Sequence, residues 1–355
     1  KKISKKKFKE DELKNLKDKL SKGWLNKIGN LDMFEKTWSD IENSSRYSFN
    51  ASHSVSVALD ALYGAYLKAN YPMEYYSVVF EIYSDDINKT RDLTDELPYF
   101  NIKLKLPKFR ISNNHYTCDK GNNVIYKNIQ SIKFLNETIA EQLYEMRDMQ
   151  FNSFLDFLKV NPCNSKQTEI LIKLDFFSEF GKTGKLMDIY NFYQTRYDKN
   201  KFKKQIKKDK NSYPIDIISK YSKETEKQYI IIDEEGFCND IISSFEDKEI
   251  SIKERLDAQI EYLGYIEYKN DKAKDYGYII DVNTKYTPRF TIYKIDTGET
   301  ISVKYSKRDY EQSELGKGKI IKFVTTEKPR KKLIDGYWID IEDVELWIKS
   351  YKIFQ

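Results

Sequence analysis

The most informative segment of the chain reads Tyr47-Ser-Phe-Asn-Ala-Ser-His-Ser-Val55. Apolar residues recur at helical spacing directly after it, so a helix is predicted to begin here with Ser52 or Ser54 as its N-cap. A helix N-terminus exposes unpaired N–H groups and a partial positive charge, which makes it a candidate site for an anion such as a triphosphate. Asn50 and His53 would add donors to it. The alternative is an ordinary capped helix whose histidine packs locally.

The first ninety residues are predicted to be helical throughout. Patterns of helical spacing cover 1–30, about 31–44, the stretch from His53 to Pro72, and 75–83. Residues 1–30 are rich in lysine, and they are interpreted as a helix with a solvated basic face. Within them, Lys5, Lys6 and Lys7 are close enough together to supply countercharge to a polyphosphate, and Lys68 is a lesser candidate.

The hydrophobic pattern changes in the middle of the chain, after residue 95. Period-two alternation over 100–106 and a turn signal within 116–126 predict strands and a hairpin. Short helices are predicted at about 137–147, 151–159, 165–175 and 182–193. Residues 196–225 are polar and rich in lysine, and 229–263 are more acidic, so 196–258 is interpreted as a linker or a weakly packed insert. A lysine run of this kind is usually a solvated surface or a loose linker, and Lys203, Lys204 and Lys207 could alternatively follow a phosphate backbone.

The last ninety residues are predicted to form strands. Five segments, at 276–282, 289–295, 300–305, 319–326 and 336–341, are separated by turn signals, with a helical stretch at about 306–315. This number and order fit an OB-type barrel, and a small sandwich is the alternative. Aromatic residues lie beside cations in these strands, as in barrels that stack single-stranded bases. The aromatic set is Tyr276, Tyr278, Phe290, Tyr293, Tyr305 and Trp338, and its neighbours include Arg289 and Lys304. Period-two alternation means that half of these rings face the interior.

The composition limits the classes of protein that fit. The chain has 355 residues, 40% hydrophobic and 15% aromatic, which suffices for two or three folded domains. A net charge of +5, from 61 basic and 56 acidic residues, excludes a histone-like protein. The sequence shows neither a signal peptide nor an apolar run long enough to span a membrane, so a cytoplasmic protein is expected. Three scattered cysteines and two histidines predict no disulfide framework and no metal site.

The sequence resembles the C-family bacterial replicative DNA polymerases, the DNA polymerase III alpha subunits. The strongest motifs are Phe49-Asn-Ala-Ser-His53 and Tyr66-Leu-Lys-Ala-Asn-Tyr-Pro72, which are similar to the fingers region of that family. Weaker matches keep the family's order along the chain, upstream at 3–7 and 38–41 and downstream at 106–112, 131–133, 171–177 and 262–265. Since the sequence begins at Lys1 and not at a methionine, we expect a processed chain or part of a longer protein.

The resemblance implies an α+β multidomain fold. Helical fingers would occupy 1–95, a strand hairpin with a helix-hairpin-helix-like domain 96–195, the linker or insert 196–258, and a five-stranded OB-like barrel 259–355. It implies nucleotide or phosphate binding at Lys5, Lys6, Lys7, Asn50, Ser52, His53 and Lys68. It also implies DNA binding at Lys133, Lys203, Lys204, Lys207, Arg289, Tyr293 and Lys304.

The sequence departs from the family pattern at several positions. Ala51 stands where the family has lysine, Asn70 stands where it has histidine, and Asn128, Phe134 and Asn136 stand where it has glycines. The catalytic aspartates of the family lie on a palm that would precede Lys1, and this sequence contains no Asp-x-Asp. We therefore expect no catalytic residue, metal ligand or cofactor in this chain alone, and Mg²⁺ only together with a palm.

Three hypotheses for the function remain open at this point. The first is the nucleotide- and primer-template-binding portion of such a polymerase, whose partners would be primer-template and single-stranded DNA, the palm-containing remainder and, as a further candidate, the sliding clamp. The second is a catalytically inactive derivative that binds DNA or a protein partner. The third is an interaction protein with no nucleic-acid role. No membrane partner is expected.

Overall fold

The structure of the protein is a computed structural model that describes residues 10–46, 51–84, 86–334 and 337–354. The chain divides into two compact units, with the boundary between Tyr75 and Tyr76. The first unit therefore ends at Tyr75 rather than at the predicted domain boundary at residue 95.

Helices make up the first unit, as predicted. They are α1 (Glu10–Ile28), α2 (Phe34–Arg46), α3 (Ala51–Asn70) and the start of α4 (Pro72–Ile82). The contact between α1 and α2 is aromatic: the Trp24 ring meets the Phe34 ring edge-on at 5.8 Å, and Phe34 stacks on Trp38 at 6.5 Å. Phe34 and Trp38 are buried. Pro72 follows α3 and begins α4, which is the position where its missing N–H does no harm.

The second unit begins with the remainder of α4, α5 (Ile87–Glu96) and a small sheet. Its strands are β1 (Lys103–Lys105), β2 (Thr117–Asp119) and β3 (Val124–Tyr126), with β3 in the centre. β2 and β3 form the predicted hairpin. Tyr76 and Phe80 of α4 are fully buried, and their rings lie 5.5 Å from Phe100 and Tyr116, respectively. These contacts explain why the compact unit takes in the end of α4.

Four helices follow, close to the predicted positions: α6 (Glu137–Glu145), α7 (Phe154–Val160), α8 (Ser165–Lys173) and α9 (Thr183–Arg196). Side chains cap three of them in the way that their sequences favour, since Asn136, Ser153 and Asn164 each accept from a backbone N–H in the first turn. Phenylalanine rings fill the core between the helices. The Phe157 ring, for example, lies 5.1 Å from Phe109 and 4.8 Å from Phe177.

Residues 196–258 belong to the same core, so their interpretation as a linker or weakly packed insert is wrong. They form β4 (Tyr197–Asp198), β5 (Lys201–Phe202), β6 (Gln205–Lys207), α10 (Ile215–Tyr221), β7 (Ser222–Glu224), β8 (Gln228–Ile231), α11 (Glu234–Ser244) and the start of α12 (Ile252–Leu263). Ile206, Ile218 and Phe237 are buried in the cluster that also holds Phe157. Lysines and acids separate the short apolar groups of this segment, which hides the periodicity.

A tight contact joins the segment before α12 to the first turn of α9. The Glu249 carboxylate accepts from the Thr183 hydroxyl at 2.5 Å and from Arg255 at 2.7 Å. The hydroxyl in turn accepts from the Ile250 backbone N–H at 3.0 Å. Gly184 leaves no space, because a Cβ on it would lie 2.7 Å from the Lys248 carbonyl oxygen. We call Thr183, Gly184, Glu249 and Arg255 the closed junction.

The C-terminal barrel has the topology of an OB fold. Its elements are β9 (Tyr276–Asn283), β10 (Arg289–Lys294), β11 (Thr300–Lys304), α13 (Lys307–Glu311), β12 (Ile320–Ile334) and β13 (Tyr337–Phe354). The strands close in the order β9-β10-β11-β13-β12, with β11 and β13 parallel and the other neighbours antiparallel. The helix between the third and fourth strands completes the five-stranded pattern. The predicted α+β fold class with an OB-like barrel is confirmed.

The last two strands run far beyond their predicted ends. β12 pairs with β13 from Ile320 and Phe354 at the barrel to Ile334 and Tyr337 at the far end. Charged residues dominate 327–332, so the hydrophobic alternation that signals a strand fades there although the pairing continues. We call the part of this hairpin that extends beyond the barrel, 325–334 with 337–345, the arm.

Candidate nucleic-acid interface

The barrel carries a groove lined by basic side chains. Arg289 on β10 and Lys304 on β11 are directly opposite each other in the sheet. Together with Arg330 of the arm they line a groove of about 660 Å³. The second and third strands of an OB barrel, with the loops at their ends, form the face on which such barrels hold oligonucleotides. Two of the predicted DNA-binding residues are therefore neighbours on that face.

One carboxylate contacts all three cations. Glu345 on β13 lies 2.6 Å from Lys304 Nζ, 3.5 Å from Arg289 Nη2 and 3.9 Å from Arg330 Nε. Its side chain is only 15% exposed, whereas those of Arg289 and Arg330 are 49% and 58% exposed. The acid thus forms the floor of the groove and the arginines form its rim.

Arg330 lies at an irregularity of the β12–β13 pair. The register shifts after Pro329, which faces Val344, so that Lys331 faces Asp340. Extra residues in one strand of a pair bend it locally and can change the direction of a side chain. Arg330 occupies this irregular position, and its Nε lies 3.9 Å from Glu345. Residue 330 falls between the predicted strands 319–326 and 336–341, so the strand predictions gave no indication of this contact.

An exposed ring that sequence reasoning missed lies beside the groove. Tyr286, in the loop between β9 and β10, is 77% exposed. It lines a recess of about 230 Å³ together with Arg289 and Lys304. The available signal was its position: it follows Lys285 in the loop after the first barrel strand, where OB barrels contact their ligands. The predicted ring set lies entirely in the strands and at their ends, and this ring lies in a loop.

Tyr293 is not available for base stacking, which corrects its predicted role. It shares the alternation of Arg289 on β10, but it is 3% exposed because Leu256 of α12 packs over it. Its hydroxyl donates to the Tyr268 carbonyl oxygen at 2.9 Å, and burial raises the pKa of the hydroxyl to about 12. Tyr278 and Phe290 are buried too, and Tyr276 and Tyr305 are half-buried. The Trp338 side chain lies outside the described residues.

The turn that precedes α6, residues 132–135, is a second candidate contact, and we call it the hairpin. Lys133 is exposed there, and the next residue, Phe134, has a left-handed backbone with φ of 71°. This conformation suits glycine better than a residue with a side chain. Phe134 is 55% exposed, and Lys166 Nζ lies 3.7 Å from the centre of its ring. Asn136 caps α6 by accepting from the Ile139 N–H at 3.0 Å.

A buried ion pair ties the small sheet to the segment that enters the barrel. Lys127, one residue after β3, lies 3.2 Å from Glu267 and is 5% exposed. Its Nζ also donates to the Tyr265 hydroxyl. Burial lowers the pKa of Lys127, and the Glu267 charge acts in the opposite direction. A buried lysine that keeps such partners fixes the position of both segments.

The remaining predicted cations lie elsewhere. Lys203, Lys204 and Lys207 are exposed at the small sheet formed by β6, β7 and β8 and the segment before it. They form a third surface, separate in the chain from the hairpin and from the barrel groove. Among the residues that the structure describes, there is no group of three or more histidine, cysteine or acidic residues arranged to hold a metal ion.

The predicted phosphate site at the start of α3 is described only in part. His53 is exposed, at the third residue of the helix. Lys68 lies 15 residues further along the same helix, which is about 22 Å at 1.5 Å per residue, so it cannot share a triphosphate with His53. Lys5, Lys6, Lys7 and Asn50, and the side chain of Ser52, lie outside the described residues.

Comparison with known proteins identifies a family match in the region that contains the hairpin. Residues 101–187 match the family model of the helix-hairpin-helix motif. DNA polymerase III subunit alpha of Aquifex aeolicus is 32% identical over 176 residues, which are 48% of this chain and 15% of the relative. This chain is similar to DNA polymerase III subunit alpha.

Other curated relatives of the same description agree. The Campylobacter jejuni subunit is 33% identical over 43% of this chain, and the Ureaplasma parvum subunit is 28% identical over 47%. These alignments cover 13% and 18% of the relatives' own lengths, so the aligned part of the chain spans less than a fifth of each relative. The resemblance inferred from the motifs is confirmed, and a function related to DNA replication is supported. Within the described part of the chain, no helix is long and apolar enough to cross a membrane.

Proposed function

We propose that this chain is the nucleotide- and primer-template-binding portion of a DNA polymerase III alpha-like protein, and that the barrel groove holds single-stranded template. The observation that carries this proposal is the placement of Arg289 and Lys304 side by side on the second and third strands of an OB barrel. Tyr286 stands exposed beside them and offers a face on which a base can stack.

The other parts of the chain complete the grip on DNA. The helix-hairpin-helix region, with Lys133 exposed at its hairpin, contacts the duplex backbone, and Lys203, Lys204 and Lys207 extend that contact. The beginning of α3, with Asn50, Ser52 and His53, receives the incoming nucleotide's phosphates together with Lys5, Lys6 and Lys7. The ion pair between Lys127 and Glu267 connects the sheet of β1, β2 and β3 to the segment that enters the barrel. This connection helps to hold the helix-hairpin-helix region and the barrel groove at a fixed distance from each other.

Nucleotidyl transfer itself needs carboxylates that hold two Mg²⁺ ions. A palm-containing remainder of the polymerase supplies them, and the sliding clamp is a further partner. The complex works in the cytoplasm of a bacterial or phage-infected cell.

A salt titration of single-stranded DNA binding tests the role of the barrel. A fluorescent oligo(dT) is titrated with the 355-residue chain at several KCl concentrations. Replacing two phosphate-contacting cations, in Arg289→Ala with Lys304→Ala, reduces the slope of log K against log salt by about 1.4 and weakens binding at least tenfold. The matched control is Lys19→Ala with Lys22→Ala, which removes the same charge from two exposed lysines of α1 that have no role in this proposal. Equal effects of the two double variants, or no binding by the natural chain, would contradict the proposal.

A catalytically inactive, DNA- or partner-binding derivative of the polymerase is the second candidate. Phe134 favours it, because an exposed ring in a left-handed conformation occupies a hairpin position where glycine would let the backbone approach a phosphate. Primer extension separates the two functions. The chain is combined with a palm-containing polypeptide, a primer-template and Mg²⁺. Extension supports the polymerase, whereas DNA binding without extension supports the derivative.

A further inference from the structure

The three cations of the barrel groove form an arrangement that requires an anion. Arg289 and Lys304 are direct cross-strand neighbours of like charge, which is unfavourable in a sheet unless an opposite charge compensates it. Arg330 adds a third positive charge from the arm. Glu345 contacts all three and offsets part of their charge, and it lies closest to Lys304, at 2.6 Å. The repulsion among the cations is therefore partly relieved inside the protein before any ligand arrives.

The exposure of these groups leaves the cations accessible to a second anion. The Glu345 side chain is 15% exposed, and it lies beneath side chains that are 49% exposed for Arg289 and 58% exposed for Arg330. A phosphate approaching from the open side of the groove meets the arginines first. The phosphate must share the arginines with Glu345, because the Glu345 carboxylate already lies at the floor of the groove within contact of them.

We propose that Glu345 is a built-in competitor for the countercharge role of a nucleic-acid phosphate, and that it limits how strongly the barrel groove holds a single strand. This inference rests on the proposed function, since it assumes that the groove binds phosphate. Glu345 and a bound phosphate relieve the same repulsion, so each reduces the benefit that the other provides. A groove tuned in this way releases a strand readily, which suits a template that must move past it.

Removal of the Glu345 charge tests the inference directly. Glu345→Gln keeps the size and the hydrogen-bonding oxygen of the side chain, and Glu345→Met, of similar volume, serves as a second variant if the first does not fold. The oligo(dT) titration is repeated with the full chain. Even with the screening of bulk water, loss of one negative charge about 5–6 Å from a phosphate corresponds to about threefold tighter binding, so at least that change is expected at low salt. The slope of log K against log salt becomes steeper by about 0.7.

Glu342→Gln is the matched control. Glu342 lines the same groove and is exposed, so the substitution removes the same charge from nearly the same place. Among the described residues, the ion pairs of Arg289, Lys304 and Arg330 join them to Glu345 and Asp343 instead. Tightening in Glu345→Gln that clearly exceeds tightening in Glu342→Gln supports the inference.

The contrary outcomes are distinct from one another. Equal tightening in both variants would mean that net charge alone matters, and it would overturn the inference. So would unchanged or weaker binding by Glu345→Gln, which would make Glu345 a residue that only orients the cations. In either case binding by the natural chain that depends on Arg289 and Lys304 leaves the proposed function standing. If no variant binds oligo(dT), both the inference and the proposed role of the barrel fail.

Discussion

The closed junction and the barrel groove both place a glutamate among positive or donating groups, yet they differ in what remains open to solvent. At the junction Thr183 is fully buried and the Arg255 side chain is 21% exposed, while Glu249 lies outermost at 49%. In the groove the order is reversed, with Glu345 at 15% beneath more exposed arginines. A carboxylate that covers its partners shields them from solvent, so the contact is structural. A carboxylate that lies under exposed cations leaves those cations available to a ligand.

The contacts around each glutamate reinforce this difference. Backbone packs directly against the junction, because the Lys248 carbonyl oxygen occupies the space beside Gly184. Glu345 instead borders an open groove of about 660 Å³. The junction should therefore respond to substitution through stability and the groove through nucleic-acid binding, and the following predictions test that division.

The largest effect is expected from Gly184→Ala at the junction. Its new Cβ would lie 2.7 Å from the Lys248 carbonyl oxygen and 2.9 Å from the Glu249 carbonyl carbon, so the backbone must shift. Overpacking of this kind lowers the free energy of unfolding by about 1–3 kcal/mol, measured by urea denaturation. Gly316→Ala is the control, since no neighbouring atom lies within 4 Å of its new Cβ. Similar stabilities of the two variants would show that the junction is looser than described.

Tyr286→Ala should change binding and leave stability intact. The ring is 77% exposed beside Arg289 and Lys304, and a stacked base is worth about 1–3 kcal/mol, so oligo(dT) binding weakens at least fivefold. Tyr99→Ala removes an 87% exposed ring outside the barrel and serves as the control. A loss of stability in Tyr286→Ala, or equal binding by the two variants, would erase the distinction between the groove and the junction.

The smallest effect is a dependence of stability on acid at Glu249. Burial alone would raise the pKa of Glu249, but the hydrogen bonds from Thr183 and the charge of Arg255 outweigh it, so the pKa lies below its ordinary value of 4.5. A carboxylate with a lowered pKa stabilises the fold above that ordinary value, and the contribution is lost as the pH falls through the folded-state pKa. Because the side chain is half-exposed, the loss is at most about 1 kcal/mol.

Urea denaturation between pH 5 and pH 3 measures this contribution. Glu249→Gln should reduce the decline in the free energy of unfolding over that interval, while Glu246→Gln, in the same exposed segment, should leave it nearly unchanged. An identical decline in Glu249→Gln and the natural chain would show that the carboxylate contributes nothing to the junction.

Much of the helical architecture could be predicted because its signals are local. Pro72 and the apolar spacing of α3 act within a few positions of one another, and the structure has helices at those places. The hairpin between β2 and β3 was found from its turn residues in the same way. The number and order of the barrel strands also follow from local alternation, which sufficed to predict the OB-like fold.

Predictions failed where a distant element decides the outcome. Tyr293 has the alternation of an outward-facing strand residue, but α12 covers that side of the barrel. Ile206 and Phe237 look isolated among charged neighbours, and the core that buries them is built largely from residues earlier in the chain. Lys68 and His53 seemed to belong to one phosphate site, although a helix of 20 residues separates such positions along its axis.

The sequence alone indicates the resemblance to a replicative polymerase, the helices and the order of the barrel strands. Each of these depends on motifs or periodicities that span only a few residues. Tertiary structure alone decided that Arg289, Lys304 and Arg330 meet over Glu345. Those four residues are spread over 57 positions, counted inclusively from 289 to 345, and they meet only when β10, β11, β12 and β13 close around one core. Long-range closure of that kind depends on the free energy of the whole barrel, which no local pattern encodes.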